Sequence, residues 1–324
     1  MNMATPIWKD VSVVVGTSDS ADFIIYDKAD NTGNIIYQGK SFKRPGQSYA
    51  TAKVNDILAD YLKQQLVEGV VNIRQPLSVY VGTTRRYQGE FFLCWDYETD
   101  SDNLDGFPNR PITGRIQVGT PIPITKYANY SQEVIASYLP YDENARVSLG
   151  TTTDVRNYLH TCQSGYKSVN LFPRYSSTDH TELGYSLTII PLCHRYQLYY
   201  QNLLGGIDVF VIEGKAVKRD KFDRSAISKA YLNNSITAIR RAGKEVIDTE
   251  VTRTWELHTG WLTDAEAGRM GHLLGSPLVY LYDCVANVYY PVIIKTDEYQ
   301  QKVTRYDGMI QYTINVELAE TLKR

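Results

Sequence analysis

The chain has 324 residues, of which 43% are hydrophobic and 22% are charged, and its formal net charge at pH 7 is −2. This composition and length predict a folded protein of two domains with a large core. The balanced charge excludes a globally basic surface for nucleic acid, so any such contact must come from a local patch.

Residues 1–15 lack the basic start, apolar run and cleavage site of a signal peptide, so we expect synthesis in a cytoplasm without export. The sequence contains no apolar run of about eighteen residues, which excludes a membrane-spanning helix from the prediction. The four cysteines lie in or beside apolar runs and are predicted to be reduced, buried thiols.

The first predicted domain, 1–150, is β-rich with one short helix at about 52–68. Six apolar residues between Val54 and Leu66 recur at helical spacing. Alternating apolar residues and intervening turn clusters indicate strands on both sides of this helix. The predicted strands are 7–16, 22–27, 34–42, 70–74, 77–82 and 89–97.

Residues 98–123 lose all periodicity and collect aspartates and prolines, which predicts a long loop or an exposed arm. Asp100, Asp102 and Asp105 resemble the start of a calcium-binding loop. However, the glycine falls at the seventh position instead of the sixth, and Pro111 occupies the position of the closing glutamate. A solvated acidic loop is therefore favoured over a non-standard calcium site.

The second predicted domain, 151–324, is antiparallel β with a single helix at 264–274, although the boundary near 150 falls in a stretch of weak periodicity. Thr263 and Glu266 form a capping-box pattern at the start of this helix. Turn residues at 202–206 predict a hairpin. The predicted strands of this domain are those of the hairpin 196–213, and 226–239, 245–257, 278–283, 287–295, 300–306 and 309–318, the last two joined by Asp307-Gly308. A further possible strand, near 132–139, precedes the boundary.

One grouping has zinc-ligand chemistry, namely His160 and Cys162 with Cys193 and His194. Adjacent residues on a strand point to opposite faces, so Cys193 and His194 are poorly placed to bind one ion. A buried cysteine beside a surface histidine is the favoured interpretation.

No pattern indicates an enzyme. The sequence has no Gly-x-Ser-x-Gly elbow and no phosphate-binding glycine loop. Asp96 and Glu98 lie two apart on one face of a strand end, as in a glycosidase pair, but such pairs are common by chance. We therefore predict no catalytic residue, no cofactor and no metal ligand.

A basic run follows the predicted hairpin and includes two internal acidic residues. Its ordinary interpretation is a solvated loop, and the alternative is a segment that docks on an acidic neighbour or faces a DNA lumen. The run comprises Lys215, Lys218, Arg219, Asp220, Lys221, Asp223 and Arg224.

The 26 tyrosines outnumber the 8 phenylalanines. Tyrosine suits partly wet subunit interfaces, but it also suits ordinary strands, so composition alone leaves both interpretations open.

Several motifs resemble a family of phage and prophage structural proteins from Bacteroidetes-type hosts, of the tail or baseplate. The strongest are YQLYYQNLLGGIDVFVIEGK at 196–215 and ELHTGWLTDAEAGRMGHLLGSPLVYLYD at 256–283. Further support comes from YYPVIIKTDEYQQKV, IQYTINVELAE, YQGKSFKRPG and VNDILADYL. The segment 98–180 carries little of the resemblance.

The resemblance implies a distal-tail-like structural protein of the virion, made in the host cytoplasm. It further implies β-sandwich or split-barrel domains, the C-terminal one braced by the helix 264–274, and a homo-oligomeric ring, possibly a hexamer, in contact with other tail or baseplate proteins. The hairpin 196–213 is expected at the lumen or a subunit contact, and the loop 98–123 at another subunit. Nucleic acid is expected only at a lumen-facing surface.

Three other roles stay open: a head–tail connector, a capsid-decoration protein, and a carbohydrate-binding receptor-recognition module of the tail tip. The last requires an exposed tryptophan among Trp8, Trp95 and Trp261. Trp95 and Trp261 adjoin apolar runs, so the sequence predicts that both are buried.

Overall fold

The protein is mainly β with minor α and is built from several antiparallel sheets, as the sequence predicts. None of these sheets closes on itself within the part of the chain described. The computed structural model describes residues 5–6, 12–67, 74–92, 112–126, 132–140, 145–152, 156–203, 205–228, 244–296, 310–320 and 322–323.

The chain divides into two compact units. The first comprises residues 1–193, 200–210 and 275–277, and the second comprises 194–199, 211–274 and 278–324. Residue 150, the boundary expected from the sequence, lies within a strand of the first unit. The chain first passes to the second unit after Cys193.

The N-terminal part contains a five-stranded sheet in the order β1-β7-β6-β3-β4, a separate β2–β5 pair and helix α1. Among the described residues of this sheet, β1 pairs with β7 in parallel and the other pairings are antiparallel. Helix α1 confirms the predicted helix, since Val54, Leu58 and Leu62 on its apolar side are buried. The elements are β1 (Thr5–Pro6), β2 (Ser12–Gly16), β3 (Ser20–Tyr26), β4 (Ile35–Phe42), β5 (Ala50–Lys53), α1 (Asn55–Val67), β6 (Arg74–Val81) and β7 (Thr84–Phe92).

The middle of the chain forms a six-stranded sheet in the order β11-β10-β13-β15-β8, with β14 paired to β13, and a β9–β12 pair. The β8–β15 pairing is parallel. A short 3-10 helix spans Thr181–Leu183. The strands are β8 (Arg115–Gln117), β9 (Pro121–Lys126), β10 (Gln132–Leu139), β11 (Arg146–Thr152), β12 (Arg156–Thr161), β13 (Ser168–Tyr175), β14 (Thr178–Asp179) and β15 (Tyr185–Ile190).

The prediction of one continuous loop over 98–123 is wrong for its C-terminal part. Strands β8 and β9 begin within it, because Ile116, Ile122 and Ile124 are fully buried. Burial of these isoleucines outweighs the prolines, which β9 accommodates at Pro121 and Pro123. Residues 98–111 lie outside the described part of the chain.

The strands after Cys193 form an eight-stranded sheet in the order β17-β16-β20-β21-β22-β19-β18, with β23 paired to β19. Its first two strands confirm the hairpin, and Gly205 supplies the positive φ of +89° that the turn requires. The strands are β16 (Tyr196–Gln201), β17 (Ile207–Val211), β18 (Ala216–Ser228), β19 (Lys244–His258), β20 (Val279–Asp283), β21 (Val288–Ile294), β22 (Thr313–Leu318) and β23 (Leu322–Lys323).

The predicted helix 264–274 begins where expected but is interrupted at Arg269. It consists of α2 (Asp264–Gly268) and α3 (Met270–Leu274). The capping box is present, because the Glu266 N–H donates to Thr263 Oγ1 (3.3 Å) and the Thr263 N–H donates to Glu266 Oε2 (2.7 Å). Glycines at 268 and 271 weaken the helix around the break. No helix in the described ranges is long and apolar enough to cross a membrane.

Candidate assembly surface

The basic run lies in a strand, so the prediction of a solvated loop is wrong. Residues 216–228 form β18, the last strand of its sheet, and pair with β19 in an antiparallel register from Ala216 opposite Leu257 to Ser228 opposite Lys244. Every residue from Lys218 to Ser228 is exposed. Charged side chains are frequent on edge strands, where they discourage indiscriminate pairing with other chains. We call the β18–β19 pair the ribbon.

The near end of the ribbon, 216–222 with 251–257, contributes to the core of the second unit. On β19, Val251, Trp255 and Leu257 are each no more than 2% exposed. In this part β19 also pairs with β22, from Thr254 to His258. The near end is thus stabilised by buried apolar area and by strands on both sides of β19.

Within the described ranges, the far end of the ribbon, 224–228 with 244–249, has no buried side chain and no pairing with β22 or β23. The described pairing of β22 with β19 stops at Thr254, and that of β23 covers Glu250 and Val251. The described strand partner of 244–249 is β18. A bulge between Ser225 and Ala226 interrupts even that register.

Apolar side chains continue along this far end although no described core covers them. Ile227 is 46% exposed, Val246 is 51% exposed and Ile247 is 64% exposed, while Phe222 just before them is 45% exposed. A two-stranded ribbon alone is only marginally stable in water, and clustered exposed apolar residues commonly mark an interaction surface. These observations identify the far end as the candidate assembly surface.

The two strands of the ribbon carry opposite charge excess. β18 has four basic and two acidic residues, whereas β19 has two basic and four acidic residues. Arg253 donates from Nε to Asp220 Oδ1 (2.8 Å) and from an Nη atom to Asp220 Oδ2 (3.0 Å). This bond raises the pKa of the Arg253 guanidinium. Arg219 lies 2.6 Å from Glu256 and, as hydrogen-bond donor, lowers the pKa of that carboxyl.

The zinc-like residues occupy ordinary structural positions. His160 Nε2 lies 2.7 Å from the hydroxyl of Tyr138, and burial lowers the pKa of this imidazole. Burial also raises the pKa of Cys162 to about 12, which disfavours the thiolate that a metal needs. No group of three or more His, Cys, Asp or Glu able to hold a metal ion occurs within the described ranges.

The prediction that the cysteines are buried holds for Cys162 and is wrong for Cys193. Cys193 is exposed because it follows β15 in a turn, where its N–H donates to Gln117 Oε1 (3.2 Å). Cys284 is intermediate in exposure, and Cys94 lies outside the described residues.

The prediction that Trp261 is buried is also wrong, since this side chain is 62% exposed. Its neighbour Leu262 takes the core position and exchanges two backbone hydrogen bonds of 2.7 Å with Ile310. Gly260, with a φ of +78°, turns the chain just before the tryptophan. The backbone pairing of Leu262 with Ile310 and the turn at Gly260 thus place Trp261 outward.

The remaining candidate residues lie outside the described part of the chain. They are the possible glycosidase pair Asp96 and Glu98, the possible calcium ligands Asp100, Asp102 and Asp105, and the tryptophans Trp8 and Trp95.

Val246 and Ile247 do not stand out in the sequence as candidate functional residues. The sequence does contain a signal for the ribbon that carries them, because the segment of β18 has an excess of basic residues and the segment of β19 has an excess of acidic residues. Pairing the two segments by this opposite charge would predict the ribbon, although not how far it extends beyond the core.

Comparisons with known proteins leave the family open. No protein-family model matches the chain, and no curated protein matches it. Among solved structures, a similarity is found to trypsin-activated alpha-2-macroglobulin from Escherichia coli, with 8% identity over 97% of this chain. The TM-score is 0.15, and the chain spans 29% of the length of that protein. A similarity at this level carries no information on fold or function.

Proposed function

We propose that this protein is a structural component of a phage tail or baseplate that assembles into a ring of identical subunits. The proposal joins the resemblance of the motifs at 196–215 and 256–283 to one structural observation. That observation is the far end of the ribbon, where Ile227, Val246 and Ile247 lie on paired strands and are exposed, with no core over them among the described residues.

An assembling protein accounts for this exposure better than an isolated one. Exposed apolar residues on a regular backbone are unfavourable in a monomer and become stabilising when a partner buries them. In this proposal the protein acts in the virion tail, after synthesis in the host cytoplasm, and needs no catalytic residue or cofactor. Its partners are copies of itself and other tail or baseplate proteins.

The test is the molar mass of the purified protein by multi-angle light scattering across a concentration series, with negative-stain microscopy of any particle. We expect a discrete oligomer, with a ring visible in projection and six copies as the first stoichiometry to examine. A constant mass of 36.8 kDa up to high micromolar concentration would contradict the ring.

Trp261 supports a second candidate function, a carbohydrate-binding receptor-recognition module of the tail tip. Its exposed ring is suited to stacking on a sugar face. The test is binding to a glycan array by the wild-type protein and by a Trp261→Ala variant. Signals that the variant loses would support this function, and a flat wild-type response would remove it.

A further inference from the structure

The outer edge of β18 carries a charge pattern that is complementary to itself. Residues 218–224 read Lys-Arg-Asp-Lys-Phe-Asp-Arg, so Phe222 is the one uncharged residue among seven. We infer that this edge pairs with the same edge of a second copy in an antiparallel, two-fold contact centred on Phe222. Such a contact joins two copies whether or not the proposed ring forms, so it goes beyond that proposal.

The edge is accessible to a second copy in the part of the chain that the structure describes. β18 is the last strand of the eight-stranded sheet and pairs there with β19. Every residue from Lys218 to Ser228 is exposed. The bulge beside Ser225 adds its extra residue to β19, so β18 itself continues without an inserted residue. Backbone N–H and C=O groups along the outer edge of a sheet can pair with a strand of another chain.

Symmetry restricts the registers that two copies of this edge can adopt. Because neighbouring residues of a strand point to opposite faces, a two-fold axis perpendicular to the sheet passes through a residue position, where the residue meets its own copy. At every position from 218 to 224 other than 222, two like charges would meet on the axis and repel each other. At Phe222 two aromatic rings meet instead, and this side chain is 45% exposed and open to such a contact.

The charges on both sides of the axis then meet opposite charges. Lys221 lies opposite Asp223 of the other copy on one face of the sheet, and Asp220 lies opposite Arg224 of the other copy on the other face. Each pair occurs twice by symmetry. Lys221 Nζ and Asp223 Oδ2 are already 2.8 Å apart within one chain, and Asp220 keeps its bond with Arg253. Cross-strand pairs of opposite charge stabilise an antiparallel contact and fix its register.

The ends of the contact are apolar. Ile227, which is 46% exposed, lies opposite Val217 of the other copy, so the contact covers part of the candidate assembly surface. Val246 and Ile247 lie on the neighbouring strand and are left for the contacts of the proposed ring. A two-fold contact is complete with two copies and does not itself close a ring. In an assembly that also contains the ring, it joins a subunit of one ring to a subunit of a second ring.

The first test is disulfide crosslinking at the axis. A Cys193→Ser background removes an exposed native thiol. In this background, Phe222→Cys places two thiols directly opposite each other, within reach of a disulfide. We expect mild oxidation of the full-length chain to yield a covalent dimer.

Ser225→Cys in the same background is the matched control. In the inferred register the two copies of position 225 lie six residues apart, which is about 20 Å. We expect at least about tenfold less covalent dimer than with Phe222→Cys. Equal crosslinking of the two variants would refute the register centred on Phe222.

The second test reverses single charges. Lys221→Glu makes positions 221 and 223 both acidic, and Asp223→Lys makes both basic. Either variant alone opposes like charges across the axis, so we expect the dimer dissociation constant from light scattering to rise at least about tenfold. An equimolar mixture brings opposite charges together in a heterodimer and should recover the wild-type affinity. Recovery on mixing identifies a contact between copies, because the repulsion within each chain persists in the mixture.

The control for net charge is Lys40→Glu. It makes the same change as Lys221→Glu but at an exposed strand position of the first unit. We expect it to dimerise as the wild type does. Circular dichroism and thermal melting of all variants establish that each one is folded.

The outcomes separate this contact from the proposed ring. A wild type that forms a dimer alone, and loses it on charge reversal, supports the two-fold contact and contradicts the ring. A ring that both reversed variants form normally, with no crosslink at position 222, refutes the two-fold contact and leaves the ring standing. A mass of one chain up to high micromolar concentration refutes both. If the mixture of folded variants fails to recover the dimer, the pairing of positions 221 and 223 is refuted.

Discussion

The two ends of the ribbon share one register and one strand pair, but they differ in what covers them. At the near end, Trp255 and Leu257 are almost fully buried, whereas Val246 and Ile247 at the far end are more than half exposed. The same local β structure is thus stabilised by a core at one end and carries exposed apolar side chains at the other, where the proposed assembly would cover them. Substitutions in the core-supported region should lower the stability of the subunit, and substitutions at the far end should weaken assembly.

The largest effect on stability is expected at Trp255, whose ring lies 5.7 Å from that of Tyr290 between centroids. Trp255→Ala removes a large buried side chain and leaves a cavity, so the free energy of unfolding should fall by about 3–5 kcal/mol. Urea unfolding followed by circular dichroism measures it. If stability is unchanged, the near end is not core-supported, and the comparison between the two ends fails.

The next effect is expected at Asp283, a carboxylate whose side chain is 4% exposed. Burial acts to raise its pKa, but hydrogen bonds from Arg195 and from the N–H groups of Val285 and Ala286 outweigh burial, so the net pKa is lowered. Asp283→Asn should lower the free energy of unfolding by about 1–2 kcal/mol at pH 7. The effect is limited because solvent screens the interaction of Asp283 with the largely exposed Arg195.

The lowered pKa of Asp283 also predicts how the stability difference between the wild type and Asp283→Asn changes with pH. Because the folded pKa of Asp283 lies below its unfolded value, its stabilising contribution is present above about pH 4 and disappears as pH falls through the folded pKa. The difference in unfolding free energy between the wild type and Asp283→Asn should therefore shrink on acidification below pH 4. A difference that grows instead would exclude the charged hydrogen bond as its origin.

A smaller effect is expected at the start of α2. Thr263→Ala removes the capping oxygen and should lower stability by about 1 kcal/mol. Thr263→Ser keeps that oxygen and serves as the matched control. Both variants should assemble like the wild type when folded, and loss of assembly by Thr263→Ala alone would show that this region also forms a subunit contact.

The smallest effect on subunit stability is expected at the far end of the ribbon. Ile247→Ser should change the unfolding free energy of the dissociated subunit by no more than about 0.5 kcal/mol, because this side chain is exposed. The same variant should weaken the oligomer measured by light scattering. Ile293→Ser, at an exposed position on β21, is the matched control and should leave the oligomer intact.

Local patterns in the sequence predict much of the fold. The double glycine predicts the turn of the β16–β17 hairpin, and the capping box predicts the start of α2, whereas the weakly periodic stretch around β10 indicates only a possible strand near 132–139. Each of these signals acts within a few residues. The interruption at Arg269 was not predicted, because the capping box and the apolar pattern together suggest one continuous helix.

The candidate assembly surface was harder to predict because it depends on where distant strands stop. Val246 and Trp255 both lie on an alternating strand, and only the lengths of β22 and β23 decide which of them is covered. Trp261 and Leu262 present the same difficulty, since either could face the core and the pairing with Ile310 selects Leu262. Long-range pairing of this kind leaves no local pattern in the sequence.

Hydrogen–deuterium exchange at the two ends of the ribbon tests the central claim most directly, when measured on the concentrated protein and on the protein diluted until it dissociates. We predict that amides of residues 251–257 stay protected in both samples, whereas those of 244–249 are protected only in the assembled one. Equal exchange of 244–249 in both samples, with assembly verified by light scattering, would contradict the claim that the far end is the assembly surface.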